Sequence, residues 1–331
     1  MVEHFKDKEA KGTWVGYRPE IKVLDCTVRD GGLINNHHFD DKFVKAIYDT
    51  CVAAGVDYME MGYKASKNIF SPQEYGRWKF CDEENIRKIV GDNKTPLKLA
   101  VMADAERTDY KKDILPKEQS VIDCIRVATY INQIPVAMDM IADAHEKGYE
   151  TTLNLMAISV VQDRELEDAL KTIVESPVDT IYLVDSFGAL YSEQVRDLTL
   201  EFLGAIGDRG KQVGIHTHNN QQLAYGNTLE ALIVGANRLD ATVGGMGRGA
   251  GNCPMELLIG FLHNPKFRLR PVLECIRDVM NPIREKLEWG FMIPYMITGQ
   301  LNQHPRSAIK MRESDGREDI VSFYDQLIDE D

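Results

Sequence analysis

The chain lacks any close cysteine pair. Cys26, Cys51, Cys81, Cys124, Cys253 and Cys275 stand apart, with no C-x-x-C among the 331 residues. That spacing fits reduced thiols better than a disulfide framework or a zinc knuckle. Also missing is a run of about 18 consecutive apolar residues, the length a membrane helix needs. The first residues, Met1–Lys6, are polar and carry no apolar signal core. Positive charge is short as well: 39 Lys and Arg face 52 Asp and Glu, a formal charge of −13, and the basic residues are scattered. Nucleic acid is bound through a basic face, so no nucleic-acid partner is expected. These absences predict a soluble, cytoplasmic protein without a membrane partner. The acidic end, Ile328–Asp331, is expected to be a solvated tail. What is present is ordinary for a globular chain: 44% hydrophobic and 27% charged residues, enough to bury a large core.

Short apolar runs recur at intervals of about 25 to 35 residues, the scale of one βα unit. They are Ile21–Cys26, Val56–Met61, Leu97–Met102, Val121–Thr129, Thr151–Met156, Thr180–Val184, Val213–His216 and Arg238–Val243. Helical patterns separate most of them. Phe43, Val44, Ile47 and Cys51 repeat on one face after the candidate caps Asp40 and Asp41. Ala103–Ser120 is charged, and any helix there is expected to be short or irregular. Eight nearly continuous apolar strands alternating with helices predict a parallel sheet closed into a (β/α)8 TIM barrel over residues 20–263. From residue 264 the alternation stops. Pro271–Leu287 and Phe291–Leu301 read as two helices of a C-terminal helical extension, 264–331.

In such a barrel the reactive groups lie at the C-terminal ends of the strands. Those positions here are rich in polar residues. His216 and His218, two apart at the end of the seventh strand, point to the same side and form half of a metal site. Asp30, after the first strand, is close enough around the barrel to reach the same point. Two imidazoles, a carboxylate and no sulfur suit Mn²⁺, Mg²⁺, Co²⁺ or Zn²⁺. Arg29 has two readings, a fixed positive charge that stabilises an enolate oxygen or a salt bridge to Glu60. Neighbours on a strand face opposite ways, so a sharp turn at Gly31-Gly32 is expected to bring both Arg29 and Asp30 to the mouth. The run Gly244–Asn252 loosely fits a dinucleotide fingerprint, but it falls in the eighth unit and lacks the following acid. It reads better as a close backbone approach to substrate or metal, with Asn252 as a possible fourth ligand.

Val23–Gly32, Gly214–Asn219 and Arg238–Pro254 together resemble the DRE-TIM metallolyase superfamily, the HMG-CoA-lyase-like barrels, over about Ile21 to Leu262. The nearest likeness is to 4-hydroxy-2-oxovalerate aldolase-like proteins. The resemblance implies that Arg29 is catalytic, that Asp30, His216, His218 and Asn252 bind a divalent metal, with Mn²⁺ the first expectation, and that Tyr295 enters the active site. It also implies a homo-oligomer and a possible aldehyde dehydrogenase partner. Two departures stand out. The aldolases carry a catalytic His four residues after the Arg, where this chain has Leu33, and the lyase branch carries a Cys in the glycine loop that is absent here.

The resulting expectation is reversible C–C cleavage or formation on a 2-oxo acid such as pyruvate. His37 or His38 is expected to serve as base, followed by Tyr295 or a water on the metal. Glu60, Arg126, Asn154 and Asp185 are expected to orient substrate. The alternatives are a Claisen-type acyl-CoA condensing enzyme and a non-catalytic metabolite-binding barrel.

Overall fold

The computed structural model describes residues 18–329; Met1–Lys6 and the final acids Glu330 and Asp331 lie outside them. Eight parallel strands close into a barrel in chain order: β1 (Lys22–Asp25), β2 (Tyr58–Tyr63), β3 (Lys98–Asp104), β4 (Cys124–Thr129), β5 (Glu150–Leu155), β6 (Thr180–Asp185), β7 (Gln212–Thr217) and β8 (Arg238–Ala241). Closure is made by β1 on β8, with Leu24 opposite Asp240 and Asp25 opposite Ala241. Every apolar run named above contributes to one of these strands, and the expected (β/α)8 barrel is the fold observed.

Side chains alternate across each strand, and the two sets differ in chemistry. One set, including Val23, Met59, Val101, Ile125, Leu183 and Ile215, joins the main apolar core beneath the surrounding helices. The other includes a small cluster of Leu24, Cys26, Tyr58, Ala100 and Cys124 and the buried charges Glu60, Arg126 and Asp240. In β2 the pairing with β3 shifts between Glu60 and Tyr63, a bulge-like irregularity that re-aims the strand end.

Local signals in the sequence account for the helix ends. Asp40 caps Asp41–Ala54 by accepting the Phe43 N–H at 2.8 Å. Ala103–Ser120 contains one turn of helix, Tyr110–Asp113, and one 3-10 turn, Lys117–Gln119. The helix expected over Pro271–Leu287 is not uniform. It runs as Leu269–Cys275, widens to a π turn at Ile276–Met280, and resumes at Asn281–Arg284. Pro282 explains the widening, since it has no N–H to return to the preceding turn.

Val272, Cys275 and Met280 of this segment belong to the main core. Ile293–Gln300 follows, with Pro294 in its first turn, where a missing N–H is harmless. Two further helices, Arg306–Glu313 and Ile320–Asp329, complete the extension. Tyr295, Ile297, Ala308, Met311, Phe323 and Leu327 form a second apolar cluster that includes Ala250 of the glycine loop. The extension is thereby seated on the loop that follows β8. Among the described residues, no helix is long and apolar enough to cross a membrane.

Candidate active site and metal centre

β1 ends in a single helical turn, Thr27–Gly31, in which the Asp30 N–H donates to Cys26 O at 2.9 Å and the Gly32 N–H to Val28 O at 3.0 Å. The helical turn, not a sharp turn at Gly31-Gly32, lets neighbouring Arg29 and Asp30 both line the same cavity. The glycines serve close packing instead. A Cβ on Gly31 would fall 2.8 Å from Met246 Sδ, and one on Gly32 would fall 2.1 Å from His37 Nδ1.

Asp30, His216, His218 and Asn252 converge. Asp30 Oδ2 lies 3.2 Å from His216 Nε2 and 3.6 Å from His218 Nε2, and it also accepts from Asn252 Nδ2. All four residues are buried. Each imidazole is oriented through its other nitrogen: His216 Nδ1 lies 2.9 Å from Asp240 Oδ2, and His218 Nδ1 lies 2.9 Å from the Asp185 carbonyl oxygen. Those acceptors commit the Nδ1 hydrogens and leave both Nε2 atoms facing Asp30, the outer-shell arrangement typical of metal-ligating histidines. Three buried atoms here have no hydrogen-bond partner: Asp30 Oδ1, His216 Nε2 and Asn252 Oδ1. Orphaned buried polar atoms are costly, and three converging ones are what a cation would satisfy.

The electrostatics agree. Burial alone would raise the Asp30 pKa, but Arg29 and the two imidazoles hold it well below the usual carboxylate range. Burial lowers His218 to about 3 despite Asp30, so this imidazole is neutral and able to ligate. His216 is raised, because the carboxylates of Asp240 and Asp30 beside its two nitrogens outweigh burial. A cation entering there displaces that proton. A neighbouring set, Cys26, His216 and Asp240, shares His216. Its thiol is driven up by burial and donates to Ala241 O at 3.4 Å, so it stays a thiol.

Behind the cluster runs an unbroken chain of buried charge. Arg29 Nε donates to Glu60 Oε2 at 2.7 Å, and that oxygen lies 3.0 Å from Arg126 Nη1. Arg126 Nη2 donates to Asp240 Oδ2 at 2.6 Å, the oxygen that holds His216. The Arg126 guanidinium also lies 4.6 Å from the centre of the Tyr182 ring. Glu60, Arg126, Tyr182 and Asp240 come one each from β2, β4, β6 and β8, the alternate-strand layer of a TIM barrel, here charged instead of aliphatic. Asp240 was not anticipated. An acid in the middle of an otherwise apolar buried strand was the available signal. Glu60 and Arg126, expected to orient substrate, lie outside the cavity lining and are tied into this chain through Glu60 Oε2 and the two Nη atoms of Arg126. Asp185 is also off the wall: its carboxylate accepts the N–H groups of Ala189 at 3.0 Å and Leu190 at 3.3 Å. Of that expected group, Asn154 alone lines the cavity.

The cavity above the cluster measures about 90 Å³. Leu33, Met102, Ala128 and Met156 supply apolar wall, and Tyr63, Tyr130, Asn154, Ser186, Arg248 and His304 supply polar groups. His37 is buried behind the wall, its ring edge-on to Tyr63 at 5.2 Å and its Nδ1 without a partner. Burial, followed by the charges of Lys79 and Arg29, lowers it to about 3.

The expectation for His38 is corrected. It is exposed, on the outer face, with Nε2 3.0 Å from Glu74 O. Tyr295 is corrected too. It sits in the second apolar cluster beneath the glycine loop, where a Cβ on Gly249 (φ +62°) would fall 2.7 Å from its ring. The extension reaches the cavity through His304 instead. His304 Nδ1 accepts the Arg306 N–H at 3.1 Å, and the ring meets Phe187 edge-on at 5.4 Å. Burial, then Arg248 and Arg306, lowers it to about 4. The signal available for Arg248 is its place as the one charge within a glycine run, and nothing in the pattern around His304 marks it.

The fold and this cluster define a (β/α)8 barrel with a candidate divalent-metal centre at the C-terminal ends of its strands. Residues 20–283 match the HMGL-like family, and the chain belongs to it. It is 32% identical to an oxaloacetate decarboxylase of Mycobacterium tuberculosis, over 72% of this chain and 69% of that one. It is 28% identical to a 4-hydroxy-2-oxovalerate aldolase of Nocardia farcinica, over 94% of each chain. A crystal structure of the N-terminal domain of a provisionally assigned aldolase from Bacteroides vulgatus superposes with a TM-score of 0.77 at 28% identity, covering 91% of this chain and all of that one.

Proposed function

We propose that the protein is a divalent-metal-dependent aldolase that cleaves or forms a C–C bond of a 2-oxo acid, in the manner of 4-hydroxy-2-oxovalerate aldolase. The observation that carries this reading is the convergence of Asp30, His216, His218 and Asn252 in one buried cluster beside Arg29, with three of its polar atoms lacking a hydrogen bond. Asp30, His216 and His218 would hold the ion, and Asn252 would add Oδ1 after a half-turn of its amide. The nitrogen and oxygen donors suit Mn²⁺, taken first, and also Mg²⁺, Co²⁺ or Zn²⁺. When bound, the metal supplies Lewis-acid polarisation of the 2-oxo carbonyl.

The chain's own residues do the rest. Arg29, fixed by Glu60 at 2.7 Å, places positive charge where the carbonyl oxygen becomes negative as the bond breaks. Leu33, Met102, Ala128 and Met156 keep water from that face. His37 is assigned as the proton acceptor through its unpartnered Nδ1, with Tyr63 standing between it and the cavity. Burial, followed by the cations Lys79 and Arg29, weakens it as a base, and the negative charge of a bound oxo acid offsets the two cations. The acyl-CoA lyase chemistry loses support at Cys253, which is fully buried and absent from the cavity wall. We extend the reading to a homo-oligomer, supported by the exposed apolar row Ile320, Val321, Tyr324 and Ile328 on the last helix.

The test is exchange of the C3 protons of pyruvate in D₂O, followed by NMR, alongside elemental analysis of the purified protein. Exchange is expected with Mn²⁺, and is expected to be lost on chelation and in Asp30→Ala. Undiminished exchange after metal removal, or failure of the protein to take up any divalent metal, overturns the mechanism.

A further inference from the structure

The cavity contains two guanidinium groups in very different circumstances. Arg29 is paired with Glu60 at 2.7 Å and with Asp30 at 3.4 Å. Arg248 forms no ion pair among the described residues, and its hydrogen bond there goes to a backbone carbonyl, Ser186 O, at 3.3 Å. The chain has 52 acids for 39 basic residues, and its other inward arginines, Arg126 and Arg238, both meet carboxylates. A half-buried guanidinium has five N–H donors in a planar fork matched to a carboxylate. Most of those donors are uncommitted here.

The neighbouring group on this wall is also a donor. His304 Nδ1 is occupied as acceptor of the Arg306 N–H, so its hydrogen resides on Nε2. Burial together with Arg248 and Arg306 keeps the ring neutral at pH 7, and both arginines add positive potential to the wall. Among the described residues the lining contains one carboxylate, Asp30, which belongs to the metal cluster. The wall formed by Arg248 and His304 therefore presents a positive fork and an N–H with no acidic partner of their own.

Resting on the aldolase reading above, we propose that the substrate is a short 2-oxo dicarboxylic acid whose second carboxylate pairs with Arg248 and accepts a hydrogen bond from His304. A short chain follows from the cavity of about 90 Å³, whose wall includes Leu33, Met102 and Met156. The far carboxylate supplies the missing counter-charge for Arg248. A substrate ending in a methyl group would leave the guanidinium partly desolvated and unpaired, so the site disfavours it.

The experiment uses the Mn²⁺-loaded full chain in two arms. Cleavage rates are compared for 4-hydroxy-2-oxoglutarate and 4-hydroxy-2-oxovalerate, and calorimetry compares binding of the uncleaved 2-oxoglutarate and 2-oxovalerate. The dicarboxylate is expected to be favoured at least about tenfold in both arms, in kcat/KM and in Kd. Arg248→Gln is expected to shrink the preference to about twofold, through KM, and Arg248→Lys to retain an intermediate preference because it keeps the charge without the fork. Equal use of the two acids by the wild type, or a preference that survives Arg248→Gln, overturns the proposal. If neither acid is cleaved but 2-oxoglutarate still binds more tightly in an Arg248-dependent way, the aldolase reading fails and this one stands. If both are cleaved without preference, the reverse holds.

Discussion

The two ends of the cavity are built on different principles. At the metal cluster and behind it runs a series of buried side chains, each held by the next: Asp30 by Arg29, Arg29 by Glu60, Glu60 by Arg126, Arg126 by Asp240, and Asp240 by His216. At the other end, Arg248 and His304 come from a loop and from the segment between two helices of the extension, and each is positioned by one backbone hydrogen bond. Metal chemistry requires donor atoms fixed to about 0.5 Å, which an interlocked network of buried side chains supplies. Choosing the far end of a substrate tolerates revision, and loops supply that.

Stability offers the most forceful way to break this comparison. Glu60→Gln removes the carboxylate shared by two fully buried arginines, and one broken buried pair costs about 3–5 kcal/mol. Arg248→Gln, on a half-buried loop, should change stability by about 0.5 kcal/mol or less. Urea midpoints of the two variants check this directly. Equal losses would mean that the two ends do not differ in rigidity.

A smaller effect tests whether the network serves the metal or only the fold. Asp240→Asn keeps an acceptor near His216 Nδ1 but removes the charge that makes the imidazole a stronger ligand. Mn²⁺ affinity should fall by about 10–100-fold, the usual cost of losing an outer-shell partner. Titration of the metal-free variant, with circular dichroism to verify folding, measures it. Unchanged affinity would reduce Asp240 to a structural role beside Arg126.

The same division governs what could be read in the sequence. The eight strands were legible because parallel strands buried on both faces are nearly continuous apolar runs. Asp30, His216 and His218 were legible because strand ends carry few polar residues without cause. Asp240 was hidden inside such a run, since the inward alternation becomes visible only once the barrel closes. His37 and His38 are adjacent in sequence, yet a left-handed residue at His37 (φ +63°) sends one ring inward and leaves the other outside. Tyr295 has the apolar surroundings of Ile293–Ile297, and packing claims it. His304 lies after a helix end, where no periodicity marks a position, so its arrival at the cavity is a tertiary fact.

A last effect sharpens the comparison through pH. His37 is held at about 3, against an ordinary 6.5. The folded protein therefore refuses a proton that the unfolded chain accepts between those values. Its contribution to stability is complete above pH 6.5 and is lost as pH falls from there toward 3, with a slope of at most about 1.4 kcal/mol per pH unit. Asp25, raised to about 7 chiefly by burial, produces a slope of opposite sign, but it is common to every variant and cancels in differences. In the metal-free protein, His37→Gln should flatten the acid side of the stability profile. His304, lowered to about 4 but only half-buried, should contribute a shallower slope, because solvent screens the charge it would gain. Chemical unfolding of His37→Gln, His304→Gln and wild type between pH 4 and 7 measures both slopes. If the two substitutions flatten the profile equally, the loop end is as tightly desolvated as the barrel end, and the distinction between a fixed and a revisable half of the cavity falls.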